Sequence, residues 1–387
     1  MSAKRIVLAS SFVAIYPEGG GHASFFLQHV LGLKALGHNV LWLELMTSTG
    51  NEDRDRVLIE LFFSRMTAYG ISHRCALLVF QKGVPMELEN ARLHGKTWPE
   101  IKEEILGSDF LWNYASSMRQ PLLSQFKRRT YIDVDPGHVH VSALTCDMEL
   151  QHHDTFFTVG LKVGDADCEV PTFGYTWHHF RPVVYLPMWS ASTGPSPTAP
   201  FTSVTQWTWA ELWWKNRILS ISKRDAYLRY LNMPQATSRP FELAVNLDPD
   251  DQTGDPEMLR KHGWSLVHPH SIASTPADYA TYIKNSRAEF CCPKPIFRQL
   301  RTGWFSDRSA CYLASGRPVL TEDTGFTDSI PSGEGVIAFR NQEEAIAGVA
   351  NIDSHYERHC RAARKLAEEY FSSDRTLSAM VATCCGD

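Results

Sequence analysis

Apolar and polar positions along the chain follow two different periods. Residues 6–10 form a short apolar run rich in β-branched side chains, which predicts a strand. Apolar residues then recur at helical spacing over 25–36, and Gly37 stands where helices commonly end. A second apolar run at 40–45 predicts another strand. Strand, glycine loop, helix and strand in this order predict a βαβ unit, whose right-handed crossover builds a parallel sheet.

The same alternation continues in both halves of the chain, which predicts an α/β fold. Further strands are predicted in the first half at 76–80, 109–114, 128–137 and 154–160. Strands alternating with capped helices are predicted in the second half, from Phe241 onward, with a closing helix over 354–370. Between the halves, residues 182–214 are rich in proline, serine, threonine and tryptophan, which predicts a loop or linker at a domain junction.

Composition narrows the class of protein. The chain has 387 residues, 43% of them hydrophobic and 21% charged, which indicates a folded protein of two domains. The formal net charge of -5 disfavours a nucleic-acid polymer as partner. Nine cysteines without a regular disulfide framework indicate a reducing cytoplasm, and no apolar run has the length of a membrane span.

Residues 302–326, "TGWFSDRSACYLASGRPVLTEDTGF", carry the most specific chemical signal. Ser306 or Asp307 is suited to cap a helix whose first N–H groups can hold a phosphate. Arg308 in the first turn opposes the helix dipole, so an outside anion would explain it, and Arg308→Ala is expected to lower turnover with the fold intact. Glu322 and Asp323 follow a predicted strand and could accept hydrogen bonds from sugar hydroxyls. A helix cap, a surface charge and a tight turn are the structural alternative.

This stretch, together with "SRAEF" at 286–290, resembles the donor-binding half of GT-B glycosyltransferases. In that family a Gly-Trp-x-Ser loop and the following helix start bind the diphosphate of a nucleotide sugar, and the acidic turn binds the sugar. The resemblance implies diphosphate binding by Gly303, Trp304, Ser306, Asp307 and Arg308. It implies sugar binding by the turn Glu322, Asp323, Thr324 and Gly325.

The resemblance also implies a domain plan and a function. An N-terminal Rossmann-like acceptor-binding domain is expected over 1–185, a tryptophan- and proline-rich junction over 186–215, and a C-terminal Rossmann-like donor-binding domain over 216–370. The segment 371–387 is expected to cross back to the first domain. The expected activity is glycosyl transfer from a nucleoside diphosphate sugar to a small-molecule or glycan acceptor, without a cofactor or metal, by a protein that could form a homodimer.

Two places in the first half offer a general base. His22 follows a glycine run at the end of the first strand and could deprotonate an acceptor hydroxyl. Gly20 and Gly21 could instead approach a donor phosphate, with His22 capping the helix. Asp133 and Asp135 could act as the base or its orienting partner, or could form a common turn.

Other side chains in the second half have open roles. Arg287, Glu289 and Lys294 could hold the nucleobase, ribose or phosphate of the donor, and Arg287 with Glu289 could also be a surface ion pair. A cluster of tryptophans could stack on an acceptor or simply pack at the domain junction: Trp207, Trp209, Trp213 and Trp214.

A nicotinamide-dependent dehydrogenase is the rival interpretation. Gly19 and Gly21 occupy the first two positions of a dinucleotide fingerprint, and Glu44 stands where an acid would bind ribose, although Ser24 replaces the third glycine. A non-catalytic protein that binds nucleotide sugars on the same fold is a third alternative.

Overall fold

Two parallel sheets with flanking helices make up the protein, and the computed structural model describes residues 2–191, 194–247 and 253–386. The strands of the first half are β1 (Arg5–Ser10), β2 (Asn39–Thr47), β3 (Cys75–Phe80), β4 (Ala91–His94), β5 (Phe110–Tyr114), β6 (Arg129–Asp133), β7 (Thr155–Thr158) and β8 (Trp177–His179). Its helices are α1 (Gly20–Ala35), α2 (Glu52–Ala68), α3 (Trp98–Gly107) and α4 (His138–Ser142).

The second half contains the same two kinds of element. Its strands are β9 (Phe201–Gln206), β10 (Glu211–Trp214), β11 (Arg217–Ser220), β12 (Phe241–Asn246), β13 (Trp264–Val267), β14 (Ala288–Cys291), β15 (Val319–Glu322) and β16 (Val336–Phe339). Its helices are α5 (Lys223–Leu228), α6 (Met233–Thr237), α7 (Asp255–Lys261), α8 (Pro269–Ile272), α9 (Pro276–Asn285), α10 (Pro295–Gln299), α11 (Asp307–Ala314), α12 (Gln342–Ser354), α13 (Tyr356–Leu366) and α14 (Ser373–Cys385).

The first sheet has the strand order β4-β3-β2-β1-β5-β6-β7-β8. Its strands are parallel except for β4, which runs antiparallel to β3 at the edge. β1, α1 and β2 form the predicted βαβ unit, with Ile6 opposite Val40. The run of buried residues in β2 and β3 is typical of parallel strands that helices cover on both faces.

The second sheet is parallel throughout and has the order β13-β12-β9-β14-β15-β16, while β10 and β11 pair separately as an antiparallel hairpin. The chain adds β12 and β13 on one side of β9 and then β14, β15 and β16 on the other. The strand order therefore reverses between β9 and β14. In open α/β sheets, ligands bind outside the carboxyl ends of the strands at such a switch point.

Strand β9 corrects the prediction that 182–214 is loop or linker. The sequence "FTSVTQ" is rich in hydroxyl side chains and follows a proline-rich stretch, which favours a loop. In the structure these hydroxyls have partners inside the core, since the hydroxyl of Thr202 lies 2.5 Å from that of Ser286 and Tyr227 donates to Ser203 over 2.8 Å. Residues 201–206 therefore belong to the second sheet, although residues 192 and 193 of the same stretch lie outside the described residues.

The predicted helix over 354–370 also differs from the structure. His355 has a non-helical backbone conformation and separates α12 from α13. Beyond α13 the chain forms a π-helical turn and then α14, which packs on α1 of the first half. Gly32 of α1 allows this close packing, because a Cβ there would lie 2.6 Å from Leu377. The segment after 371 thus lies against the first half.

Ion pairs and a backbone bridge join the two halves. Lys162 of the first half donates to Asp328 of the second over 2.6 Å, and Arg301 donates to Asp167 over 3.0 Å. Gly160 and Trp304 form an isolated antiparallel bridge. These contacts hold the carboxyl ends of the two sheets close to each other across a cleft.

Candidate functional site

Arg308 lies at the switch point of the second sheet, but its charge has a partner within the protein. Its Nε donates to Glu289 on β14 over 2.5 Å, and its Nη1 donates to the carbonyl oxygen of Val204 on β9 over 2.7 Å. Burial opposes the charge, but the Glu289 carboxylate raises the pKa of Arg308 well above its usual value. The expectation that an outside anion is needed to explain Arg308 is therefore wrong, because Glu289 supplies the negative charge.

Ser306 caps the helix as the sequence predicts. Its hydroxyl accepts a hydrogen bond of 3.2 Å from the backbone N–H of Arg308, which leaves Asp307 in the first turn of α11. Both Ser306 and Arg308 are buried, and Asp307 is half-buried. The N-terminus of α11 thus lies at the cleft, and one of its backbone N–H groups, that of Arg308, is already bonded to the Ser306 hydroxyl.

Lys223 is the cation at the switch point that sequence reasoning missed. It is the first residue of α5, and its ammonium lies 6.0 Å from the ring of Trp304. Burial, and then the nearby charge of Arg308, lower the pKa of Lys223 from 10.5 to about 8. Within the described residues, Lys223 forms neither a hydrogen bond nor an ion pair. The signal was available, since a lysine at a helix start opposes the helix dipole as Arg308 does.

Lys294 connects the switch point to the first half. It follows β14 and forms an ion pair with Asp135, which follows β6 in the first half. Burial would raise the pKa of Asp135, but Lys294 and then His138 lower it to about 2. Asp135 is therefore an ionised hydrogen-bond acceptor near neutral pH and a weak base.

Asp133 lies beneath Asp135 and is fully buried. Its carboxylate accepts hydrogen bonds from the backbone N–H of Asp135 over 2.9 Å and from the hydroxyl of Thr158 over 2.7 Å, and His140 lies 3.3 Å away. The predicted base role of Asp133 is contradicted, because its oxygens are enclosed and already bonded. Asp133 shapes the turn that presents Asp135.

His22 lies exposed in the cleft near the start of α1. Desolvation by the surrounding protein lowers the pKa of its imidazole, and the charge of Asp307 partly opposes that shift. The imidazole is therefore neutral near pH 7 and able to accept a proton. In the described part of the chain no side chain caps α1, so the alternative in which His22 caps its own helix is wrong.

The glycines before His22 serve the contact between the halves. The backbone N–H of Gly20 donates to the carbonyl oxygen of Ala273 in the second half over 3.1 Å. A Cβ at Gly20 would lie 2.3 Å from that oxygen, whereas a Cβ at Gly21 would lie 3.6 Å from the ring of Tyr279. The predicted phosphate contact of Gly20 is therefore contradicted, since its N–H is already bonded.

Gly20→Ala is expected to destabilise the protein, because the added methyl group would push apart backbone atoms of the two halves. Overpacking of this kind costs about 1–3 kcal/mol, whereas alanine in place of glycine normally favours a helix. Gly21→Ala, next to it on the same helix, is the matched control and should leave stability unchanged or higher. Thermal unfolding followed by circular dichroism checks the pair, and equal midpoints for both variants would contradict this packing role.

Glu44 does not fit the dehydrogenase interpretation. Its buried carboxylate accepts hydrogen bonds from the backbone N–H groups of Val13 over 2.7 Å and Ala14 over 2.9 Å, and from Ser10. Burial raises the pKa of Glu44. Glu44 anchors the loop after β1 and is closed to a ribose.

Arg287 lies away from the switch point. It precedes the amino end of β14, where it pairs with Asp353 over 3.1 Å and stacks on the ring of Tyr356. Glu289 is buried beneath Arg308 and bonds to it, so Arg287 and Glu289 do not form the surface ion pair considered from the sequence. Arg287 thus lies away from the predicted donor site, Glu289 is part of it only as the partner of Arg308, and Lys294 pairs with Asp135 of the first half.

The loop at Gly303 is used for contacts between the halves. Gly303 has a φ of 70°, and a Cβ there would lie 2.9 Å from Lys162. Its N–H donates to the carbonyl oxygen of Thr324 over 3.0 Å and is therefore not free for the predicted diphosphate contact of Gly303. Trp304 is 9% exposed and packs on Phe297, with the ammonium of Lys223 over its ring.

The acidic turn after β15 divides into a buried and an accessible part. Glu322 is buried and accepts hydrogen bonds from Arg229 over 2.7 Å and Tyr230 over 3.1 Å, so its predicted sugar contact is contradicted. Asp323 accepts from Arg340 over 2.9 Å and lies at the surface of a pocket of about 230 Å³. The pocket is lined by Arg298, Arg301, Asp323, Thr324, Gly325 and Arg340. The sequence did not single out these three arginines.

No protein-family model and no curated protein matches the chain, but solved structures match it along nearly its whole length. An alpha-glucosyltransferase in complex with UDP and a 13-mer DNA containing an HMU base is 11% identical with a TM-score of 0.60, covering 99% of this chain and 100% of that chain. Sucrose-phosphate synthase from Thermosynechococcus elongatus is 10% identical with a TM-score of 0.55, covering 98% and 97%. Anabaena HepE in complex with UDP and glucose is 11% identical with a TM-score of 0.55, covering 98% and 100%.

These likenesses establish the fold. The chain has the GT-B architecture, two Rossmann-like halves whose parallel sheets face a common cleft, as the sequence predicted. Identities near 10% carry no activity over to this chain. Across the described residues, no helix is long and apolar enough to cross a membrane, and no group of three or more His, Cys, Asp and Glu is placed to hold a metal ion.

Proposed function

We propose that the protein transfers a sugar from a nucleoside diphosphate sugar to a hydroxyl group of a small-molecule or glycan acceptor. Lys223 is the observation that carries the proposal. Its ammonium lies close to Arg308 and Lys294 and has no carboxylate partner among the described residues. Cations held together in this way are stabilised by a bound anion. The switch point between β9 and β14, where these cations lie, is where α/β sheets bind ligands.

The donor would lie with its diphosphate against Lys223, beside Ser306 and Asp307 at the start of α11. Arg308, which is buried and paired with Glu289, would add positive electrostatic potential near the diphosphate without contacting it. Asp323, Thr324 and Gly325, with the arginines of their pocket, would lie toward the sugar. When the bond between the sugar and the diphosphate oxygen breaks, these cations would stabilise the charge that develops on the departing diphosphate.

The acceptor would be held by the first half of the chain. His22 would take the proton of the reacting hydroxyl, since its imidazole is neutral near pH 7 and exposed in the cleft. Asp135 would accept a hydrogen bond from another hydroxyl of the same acceptor. Both residues belong to the first half, where β1, before His22, and β6, before Asp135, are separated in the sheet by β5 alone.

Several of the similar structures contain DNA, so this architecture can accommodate a nucleic-acid acceptor. The proposal of a smaller acceptor instead of a nucleic-acid polymer rests on the net charge of -5. A cytoplasmic location, independence from metal ions and a homodimer also remain proposals.

Thermal unfolding of the purified protein with UDP, dTDP, GDP, ADP and NAD tests the proposed function. We expect one nucleoside diphosphate to raise the midpoint, because a ligand at 100 times its Kd adds about 2.7 kcal/mol to the free energy of unfolding. The matching nucleotide sugar should then be consumed slowly in the absence of acceptor.

Stabilisation by NAD alone would favour the dehydrogenase. Binding of a nucleotide sugar that the protein neither hydrolyses nor transfers would favour a non-catalytic binding protein.

A further inference from the structure

The hairpin formed by β10 and β11 places its tryptophans in different environments. Trp207 is buried and donates to Asp255 over 2.9 Å, and Trp214 is buried beneath Lys215. Trp209 and Trp213 are exposed by 58% and 66% of their surface. Packing at the junction explains the first two tryptophans and leaves the second two unexplained.

Trp209 lies at the base of the hairpin and is held there by hydrogen bonds. Its N–H donates to the hydroxyl of Ser222 over 2.9 Å, and the N–H of Ile221 donates to the carbonyl oxygen of Ala210 over 3.1 Å. Ser222 directly precedes Lys223, so the same turn carries the indole of Trp209 and the ammonium of Lys223. The hairpin packs on α4 of the first half and on α10 of the second. Trp209 therefore lies where the two halves meet.

Polar groups suited to a neutral sugar lie beside this exposed ring. The ammonium of Lys294 is 5.8 Å from the centre of the Trp209 ring and is paired with Asp135. The other carboxylate oxygen of Asp135, Oδ1, is buried and has no hydrogen-bond partner among the described residues. A flat apolar surface next to an unsatisfied acceptor matches a sugar ring, which has an apolar C–H face and a hydroxyl edge.

We propose that Trp209 and Asp135 form the acceptor subsite and that it takes a neutral sugar ring. The ring stacks on the indole of Trp209, and one of its hydroxyls donates to the carboxylate of Asp135, whose side chain is 23% exposed. Lys294, whose ammonium lies beside the indole, is paired with Asp135, which favours a neutral ligand over an anionic one at the Trp209 ring. The corner lies on the first-half side of the cations proposed for the diphosphate, which favours the acceptor over the donor nucleobase. This inference rests on the proposed function.

Trp209→Ala and Trp213→Ala test the proposal as a matched pair, since both remove an exposed indole from the same hairpin. Saturation-transfer NMR with a panel of methyl glycosides, with and without saturating UDP, reports sugar binding, and calorimetry reports UDP binding. We expect the wild type and Trp213→Ala to bind at least one glycoside, and Trp209→Ala to bind it about tenfold more weakly. UDP should bind all three proteins equally, and Trp209→Phe should recover part of the sugar affinity.

Three results would overturn the subsite. If Trp209→Ala and Trp213→Ala lose equal glycoside affinity, the loss reflects the hairpin in general and not a subsite at Trp209. A loss of UDP affinity in Trp209→Ala would assign the indole to the donor nucleobase. If the wild type gives no saturation-transfer signal with any glycoside, Trp209 and Asp135 do not bind a neutral sugar. If UDP does not bind but a glycoside still binds through Trp209, the proposed function fails and the sugar subsite stands.

Discussion

Lys223→Met is expected to weaken binding of the nucleoside diphosphate by about 30- to 1000-fold while leaving the protein as stable as before, or more stable. Removing one partner of a desolvated charge pair costs about 2–4 kcal/mol of binding free energy, and each 1.4 kcal/mol is tenfold in Kd. Methionine keeps most of the apolar stem of lysine and removes a charge that burial and Arg308 disfavour. Calorimetry gives the Kd, and thermal unfolding gives the stability.

The control is Lys127→Met, which removes an exposed lysine of the first half, outside the elements that form the switch point between β9 and β14. It should change neither the Kd nor the thermal stability. An unchanged Kd in Lys223→Met would show that Lys223 does not bind the diphosphate. A loss of stability equal to its loss of binding would show that Lys223 has a structural role instead.

The pH dependence of Lys223 follows from the same environment. Its pKa is about 8 in the folded protein against an ordinary 10.5, so the unfolded chain holds more protons between these values. The contribution of Lys223 to the free energy of unfolding therefore rises as the pH increases from about 8 to 10.5. Affinity for the diphosphate should fall over the same window, because the ammonium loses its proton. Both dependences should be absent from Lys223→Met.

Arg308→Ala is expected to destabilise the protein by about 3–5 kcal/mol, because it leaves Glu289 as a buried charge without its partner. This replaces the expectation from the sequence that the variant keeps its fold and loses only turnover. Urea denaturation measures the change in the free energy of unfolding. The double variant Arg308→Met with Glu289→Met removes both charges and should recover much of the loss.

Arg361→Ala provides the comparison for Arg308→Ala. Arg361 pairs with Glu357 at 3.8 Å on the surface, with 74% of its side chain exposed, and such pairs contribute at most about 1 kcal/mol. If Arg308→Ala proves as stable as Arg361→Ala, Arg308 is not locked to Glu289 in solution, and a direct role in anion binding becomes the better account.

The fold was predictable because its signals are local. The apolar run at 6–10, the helical spacing through α1 and Gly37 after it depend on neighbouring residues, and the structure confirms the βαβ unit they predict. Strand β9 was not predictable, because its threonines and serines read as a loop until their hydroxyl partners on other elements are known. Polar residues in a core strand are stable when their hydrogen bonds are made, and that condition is not visible in sequence.

The candidate site was predictable only in part. A helix start with an unexpected arginine did mark the crevice between β9 and β14, but the partner of Arg308 is Glu289, on a strand that local pattern could not place beside it. Glu322 and Asp133 look like exposed strand-end acids in sequence, whereas both are buried in the structure. Arg229 and Tyr230 bond to Glu322, and Thr158 and His140 lie against Asp133. Lys223 lies just after the segment predicted as the junction, and its nearness to Arg308 depends on β9, which that prediction missed.

A crystal structure of the protein with UDP bound tests the central claim most directly. We predict that the diphosphate lies in the crevice between the carboxyl ends of β9 and β14, in contact with the ammonium of Lys223 and beside the start of α11. A diphosphate bound instead in the pocket of Arg298, Arg301 and Arg340, with Lys223 still unpaired, would contradict this account.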